Sequence, residues 1–387
     1  TYGCAFIDDW EGNRRRGTME DYIKCIKFFE AEDSYTVNGG IVIQPGEIHQ
    51  ETAAIEMFYA GLTHSEKAII LPTGYKDEMD LIMKAACEVF GGKDALIEKP
   101  RMIALINTVS PLSLDERMLD CLMILAEYGQ PAILCPATML GATGSISMAG
   151  TLASGAAESL AGIVLAQMIR PGTPVVFGVQ STAADMKGGI TFACAAPEGT
   201  LMQGFAANMA KFYGLPSRGG GCQTDAPVIN CQAGYESMLT FSSAYRHGIN
   251  FVMEAGGVMD SVNATSFEKM LVDFEIIRQV KVSFTPIEVN EETLNMEEIE
   301  EIGHDGTFVT AESTMDNFMD LYSPRVGSRI GKGPDYFKQS IDKEMDRLMK
   351  KYESNRPELD ASVREKVKEI LVASGLPKEE LDKIDTM

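Results

Sequence analysis

The sequence predicts an α/β protein, a closed (β/α)8 TIM barrel with peripheral C-terminal helices, on three observations. Short apolar runs recur along the chain, each followed by a polar or Gly/Pro elbow and then an amphipathic helical stretch. The runs are apolar throughout instead of alternating, as strands covered on both faces are, and parallel neighbours can be joined only by a crossover. Eight such units over roughly 270 residues match a closed barrel in number and length, with a doubly wound open sheet as the competing arrangement.

Taken in order, residues 1–36 predict a hairpin followed by a helix, with Thr18 and Asp21 as its start signal before Tyr22-Ile-Lys-Cys-Ile-Lys-Phe-Phe29. The barrel is expected over 37–321. Its strands are Ile41–Pro45, Ala68–Thr73, Met102–Asn107, Ala132–Pro136, Val175–Gln180, Leu215–Arg218, Asn250–Ala255 and Thr307–Ala311. The helices between and after them fall near 48–61, 76–90, 114–128, 148–169, 198–213, 232–247 and 264–281, with a shorter acidic one at 291–302. From Tyr322 the chain is broken by Pro324, Gly327, Gly331 and Gly333, and two charged amphipathic helices follow. Residues 322–387 are therefore expected to pack as a helical extension on the barrel.

A formal charge of −22 sets the class of partner, because a nucleic-acid backbone or an anionic membrane calls for a basic surface. A cationic small molecule or a basic partner is the easier guest. The apolar runs are strand-sized, so no membrane span is expected. Eight cysteines without a Cys-x-x-Cys pair point to a reducing, cytoplasmic setting, and four histidines without metal-ligand spacing point away from a protein-bound metal. The opening Thr1-Tyr-Gly-Cys-Ala-Phe-Ile reads as the interior of a longer chain and not as a signal peptide.

Chemistry in such a barrel sits at the carboxyl ends of the strands. The strongest stretch there is the elbow Arg218-Gly-Gly-Gly-Cys222-Gln-Thr224-Asp225-Ala-Pro227, where consecutive glycines suggest a backbone passing close to something. Glu254 directly follows a buried run and needs a ligand, water or a partner to compensate its charge, unless it is a solvated strand end. Asp225 is either a site carboxylate or an ordinary turn residue, and Gln180 can point into the barrel mouth. These three are the candidate catalytic residues. Arg218, Gly220, Gly221, Tyr75, Phe177, Asn107, Tyr235 and Glu312 are candidate substrate-binding residues. The aromatic ones face either the core or a quaternary ammonium group, by cation–π attraction of about 0.5–2 kcal/mol each. No Ser-His-Asp order, His-Glu-x-x-His or phosphate loop is present.

A set of short stretches then carries a family likeness. They are Arg15-Arg-Gly-Thr18, Ile106-Asn-Thr-Val-Ser110-Pro-Leu112, Gly129-Gln-Pro131, Ala157-Glu158-Ser-Leu-Ala161-Gly, Arg170-Pro-Gly172-Thr-Pro174, Gly214-Leu-Pro216-Ser-Arg218, Thr224-Asp225, Gln232-Ala-Gly-Tyr235-Glu236 and Ser266-Phe-Glu268-Lys269. In this order and spacing the chain resembles the trimethylamine methyltransferase family, in its branch without pyrrolysine. The resemblance implies a TIM barrel that moves a methyl group from a quaternary amine, such as glycine betaine, to the Co(I) of a corrinoid (cobalamin). That corrinoid is carried by a partner protein docked on the mouth. It places the position equivalent to pyrrolysine within Gln223–Asn230, and members usually carry more chain ahead of the present Thr1. A homo-oligomer is also expected.

The implied chemistry suits the residues. A quaternary nitrogen leaves as a neutral tertiary amine, so the protein needs no general acid, only positioning, counter-charge and exclusion of water. Glu254 and Asp225 would then stabilise the cation. Arg218 or the amides of Gly219–Gly221 would hold a betaine carboxylate. Two other readings remain: a lyase-like barrel acting on carbonyl compounds, which the absence of a strand-end Lys disfavours, and a non-catalytic binding protein for quaternary ammonium ions.

Overall fold

A computed structural model describes residues 3–189, 191–331, 333 and 335–387. Seven short parallel strands follow one another: β1 (Val37–Gly39), β2 (Ala68–Leu71), β3 (Met102–Asn107), β4 (Ala132–Cys135), β5 (Val175–Phe177), β6 (Arg218–Gly220) and β7 (Phe251–Met253). The first five form one sheet in sequence order. The sixth and seventh form a parallel pair, Arg218 opposite Phe251 and Gly220 opposite Met253. A single bridge between Phe177 and Ser217 joins the two sheets, with the Phe177 amide donating to the Pro216 carbonyl at 2.9 Å.

Each strand is followed by a helix, as right-handed crossovers require. The ring helices are α1 (Met19–Ala31), α2 (Ala53–His64), α3 (Lys76–Phe90), α4 (Glu116–Glu127), α5 (Met148–Ile169), α6 (Pro197–Phe212), α7 (Cys231–His247) and α8 (Phe267–Ser283). Each packs on the next, and α8 returns to α1 through Phe267 against Phe28 and Phe274 against Phe29, with ring centroids 5.9 and 6.1 Å apart. The helix ring is closed. The strand ring is not: among the described residues no strand bridges β7 to β1, and a cavity of ≈ 350 Å³ lies along that seam.

Strand alternation sorts the core into two layers. Outward residues such as Ile69, Ala104, Leu134 and Phe177 pack beneath the helices in the main core. Inward residues Ile133, Cys135 and Val176 meet Ile103, Leu105, Phe251 and Met253. Contact of β7 side chains with those of β3 and β4 across the middle shows that the sheet curls round on itself.

Several expectations change. The first strand is not Ile41–Pro45 but Val37–Gly39, ended by Gly39 and Gly40 at positive φ. Ile43 instead makes a parallel bridge with Cys4, whose carbonyl accepts from Gln44 N at 2.9 Å. The expected eighth strand, Thr307–Ala311, is a 3-10 turn at Phe308–Thr310 in an exposed stretch of short helices. The hairpin does form, Phe6–Asp8 against Arg14–Arg16. Thr18 caps α1 in a box with Asp21, satisfying amides that the first helical turn leaves without partners.

By length and composition α5 could cross a bilayer, contrary to the expectation that no segment is suitable. Its buried side, including Leu152, Ser159, Ile163 and Ala166, packs into the ring. Three helices after residue 335 contact the ring helices from outside. The helix α9 (Tyr336–Ser354) lies on α1 and α8, α10 (Ala361–Leu371) on α3, and α11 (Lys378–Thr386) on α2. His64 is fixed between Tyr352 Oη at 3.1 Å and the Ile384 carbonyl at 2.9 Å. Burial pulls its pKa down to about 4, so it serves as a neutral strut at neutral pH.

Candidate functional site

At the carboxyl ends of the strands an ion pair stands on the apolar inner layer. Arg218 opens β6 and points inward because its neighbour Gly219 takes the outward position against Gln203. The guanidinium is buried. One terminal nitrogen donates to both Glu254 oxygens at 2.5 and 2.6 Å, and the other approaches the Cys135 thiol at 3.5 Å. Glu254 follows β7 with φ 50, a left-handed conformation that an L residue adopts only when its surroundings hold it there. Burial raises the Glu254 carboxyl above its ordinary value, and Arg218 offsets this only in part. Burial raises the Cys135 thiol as well, against Arg218, so this sulfur stays protonated beside the guanidinium at neutral pH.

Two buried nitrogen donors here have no partner, Arg218 Nε and Asn107 Nδ2, and neither do the Tyr35 and Thr73 hydroxyls on the seam-cavity side of Glu254. Asn107 ends β3 in register with Cys135, so both nitrogens belong to the same end of the ring. Unpaired buried donors are costly, about 1–3 kcal/mol each, and call for an acceptor.

Beside this pair lies an amide cluster. Gln180 Nε2 donates to Gln223 Oε1 at 3.2 Å, and Gln203 Nε2 donates to the Gly220 carbonyl at 2.8 Å. The glycines of the elbow are explained by packing. A Cβ on Gly220 would come within 2.2 Å of Gln223 Oε1, and one on Gly221 within 2.7 Å of Ala255 Cβ. Glu236 on α7 holds the elbow by accepting from Thr224 Oγ1 at 2.5 Å and Asp225 N at 2.9 Å.

The other candidates fall elsewhere. The Asp225 carboxylate is occupied by the amides of Cys194 and Ala195 at 2.9 and 3.1 Å and by Ser261 Oγ at 2.9 Å, tying three loops together. Phe177 faces the helices, near Tyr213, because Val176 takes the inward position on β5. Tyr75 caps α3, exposed, with Arg117 over its ring, and Tyr235 is exposed on α7. Glu312 starts a short helix in the exposed stretch after α8. Glu254 lines the seam cavity with Cys4, Thr73 and Leu105, whereas Gln180 lines a separate small one. Neither the seam cavity nor the small one holds Asp225, Glu254 and Gln180 together. Nor, among the described residues, do three His, Cys, Asp or Glu side chains gather as a metal-binding group.

Sequence reasoning missed Gln223, although it lies in the same elbow, and Glu158, although it lies in a family stretch. Glu158 on α5 accepts from Thr108 Oγ1, Ser110 Oγ at 2.8 Å and Leu112 N at 2.8 Å, fixing the loop after β3 next to Asn107. Glu158→Ala is expected to destabilise the protein by about 1–3 kcal/mol, because it strands these donors. Limited proteolysis should cut faster within 108–113, and unchanged cleavage would refute the clasp.

Fold and mouth together define an α/β protein with a preorganised pair of charges and a set of amides at the carboxyl ends of curled parallel strands. The sequence profile described as trimethylamine methyltransferase (MTTB) matches residues 1–373. A glycine betaine methyltransferase of Desulfitobacterium hafniense (strain Y51) is 37% identical over 329 residues, 85% of this chain and 68% of that protein. A trimethylamine methyltransferase MttB of D. hafniense (strain DSM 10664 / DCB-2) is 29% identical over 81% of this chain and 62% of that one. The trimethylamine methyltransferase MttB1 of Methanosarcina acetivorans is 34% identical over 58% and 45%. The chain belongs to the trimethylamine methyltransferase family. Its matches span about half to two thirds of these relatives' own length.

Proposed function

We propose that the chain moves a methyl group from a quaternary amine, glycine betaine or a related betaine, to the Co(I) of a corrinoid carried by a partner protein. The observation that carries this reading is the buried Arg218–Glu254 pair with two unpartnered nitrogen donors beside it, in a chain 37% identical to a glycine betaine methyltransferase. The corrinoid supplies the nucleophile that accepts the methyl group. The chain's own residues position the amine. Glu254 places negative charge near the ammonium, Arg218 Nε and Asn107 Nδ2 donate to the betaine carboxylate, and the inner apolar layer excludes water. Because the amine leaves neutral, no proton has to be moved. Asp225 acts as a positioning residue for the elbow. The buried Lys269 is held by Asp273 and the Cys222 carbonyl, which disfavours a Schiff-base lyase.

The curled ring supports closure as a (β/α)8 barrel, with an eighth strand in the β7–β1 seam in the register that Cys4 keeps with Ile43. All eight cysteines are free, which supports a cytoplasmic setting.

The test is to mix the protein with a panel of quaternary amines and Co(I) cobalamin and measure the demethylated amine by mass spectrometry. Glycine betaine or a near relative should yield its tertiary amine stoichiometrically with loss of the Co(I) absorbance. Turnover of some other substrate, with every quaternary amine inert, would overturn the reading.

A further inference from the structure

On the side of the mouth away from the β7–β1 seam, the strand-end loops carry no charge. Between Arg101 and Asp115, and again between Glu127 and Glu158, the chain has no Asp, Glu, Lys or Arg, on a protein of net charge −22. These stretches contain the loops that follow β3 and β4. Glu158, the one charged residue of α5, faces inward and clasps the first loop through Ser110 Oγ and Leu112 N. What the loops turn outward is apolar. Leu112 is 67% and Ile146 79% exposed, Val109 and Met148 stand out beside them, and Met186 after β5 continues the row. A Cβ on Gly141 would lie 3.1 Å from Ile146 Cδ1 and 3.9 Å from Met186 Sδ, so the loops after β4 and β5 close on the same glycine. Leu112 is held at φ 57, a left-handed backbone unusual for a bulky L residue. The core gains nothing from that strain, because the side chain it presents lies in water. Exposed Ser113, Ser145 and Ser147 lie among these side chains. Three neighbouring strand ends thus form one uncharged ledge that begins at Asn107, apolar with a fringe of hydroxyls.

We infer that this ledge seats the corrin ring itself, with Leu112 and Ile146 as its apolar contacts. The inference rests on the methyl-transfer reading. Reach and charge name the occupant. In-line transfer needs the cobalt within about 3–3.5 Å of the methyl carbon, so the ring has to lie at the mouth, beside the amine that Asn107, Arg218 and Glu254 hold. A corrin is a broad apolar macrocycle fringed with neutral amides. An apolar surface without charges can be covered by such a ring and leave no ion buried beneath it, while hydroxyls at its edge can donate to or accept from the amides. The Glu158 clasp keeps Leu112 in place before the ring arrives, so little ordering is left to be done on binding.

Equilibrium dialysis of the full chain against free hydroxocobalamin tests this without turnover. Wild type should retain the corrinoid. Ile146→Asp should weaken retention about 10-fold, since it sets a charge beneath an apolar ring. Leu112→Asn should weaken it about 5-fold while keeping or raising the thermal transition, because Asn enters the left-handed region more readily than Leu. A side chain that served only the fold would not separate the two readouts. Phe212→Asp, on the outer face of α6 and 78% exposed, should change neither. No retention by wild type, or retention unchanged in both ledge variants, would overturn the inference, as would binding of the ledge to neutral lipid vesicles that cobalamin fails to displace. Retention with the expected losses, but with every quaternary amine inert, would leave the seat standing and overturn the methyl-transfer reading instead.

Discussion

Arg218→Met is expected to remove methyl transfer and to destabilise the fold by about 3–5 kcal/mol, the usual cost of leaving one partner of a buried pair alone. Glu254 would be the stranded partner, held at positive φ after β7, its oxygens bonded to no other side chain among the described residues. Lysine at 218 should recover part of the stability through its charge but not the two-oxygen contact, nor the Nε donor. Its turnover should therefore stay at least 10-fold down, since a charge-assisted hydrogen bond is worth about 1.5–3 kcal/mol. Denaturant unfolding and steady-state rates separate the two effects. Wild-type melting with wild-type turnover in Arg218→Met would end the assignment.

The same pair sets a pH dependence. Burial holds the Glu254 carboxyl above its ordinary value, so the native state keeps its proton more tightly than the unfolded chain does. Its contribution to stability is complete below the ordinary glutamate value and is lost as pH rises through the raised one. With Glu254 facing the ammonium as proposed, turnover needs the carboxylate and runs the other way. It should begin to fall on acidification at a higher pH than an exposed glutamate would produce, and Arg218→Lys, which keeps some turnover but loses the two-oxygen contact, should move that limb higher still. An acid limb that stays put in Arg218→Lys would mean that another group is titrating.

The parts of the molecule that were legible in the sequence are those governed by local periodicity. Six of the seven strands and all eight ring helices fall within a few residues of their expected places, because continuous apolar runs and amphipathic stretches record burial directly. The strand Val37–Gly39 hid because three residues containing Asn and Gly have no apolar run to show, and Asn38 is buried through hydrogen bonds to the Ile26 carbonyl and Ser65. Thr307–Ala311 misled for the opposite reason: a short β-branched run is also what a 3-10 turn in an exposed segment can contain. At the site, Arg218 and Glu254 could be singled out separately as charges at strand ends. Their contact joins residues 36 apart and depends on inward and outward alternation, which a three-residue strand does not fix. That same one-residue ambiguity put Phe177 in the mouth when its neighbour Val176 faces there.

The second large effect lies beneath the site. Lys269 and Asp273, one turn apart on α8, are both buried. Lys269 Nζ donates to Asp273 Oδ2 at 2.6 Å and to the Cys222 carbonyl at 2.5 Å, and Asp273 Oδ2 accepts from Gly257 N at 2.7 Å. One helix thereby fastens the elbow after β6 to the loop after β7, and so fixes where Arg218 and Glu254 meet. Asp273→Ala should cost about 3–5 kcal/mol, since an ammonium is left buried without its counter-charge. Lys269→Met with Asp273→Leu should restore most of that, because neither charge is then buried.

Burial pushes the Asp273 carboxyl from its ordinary 3.8 to about 6, against the pull of Lys269. Its contribution to stability is therefore complete below about 3.8 and lost as pH rises through about 6. Wild type should lose stability over that window, relative to the double variant, by up to about 3 kcal/mol. Chemical denaturation at pH 4.5 and 7 measures the difference. A double variant as unstable as Asp273→Ala, with no pH-dependent gap from wild type, would show that packing around α8 and not this pair holds the two loops together.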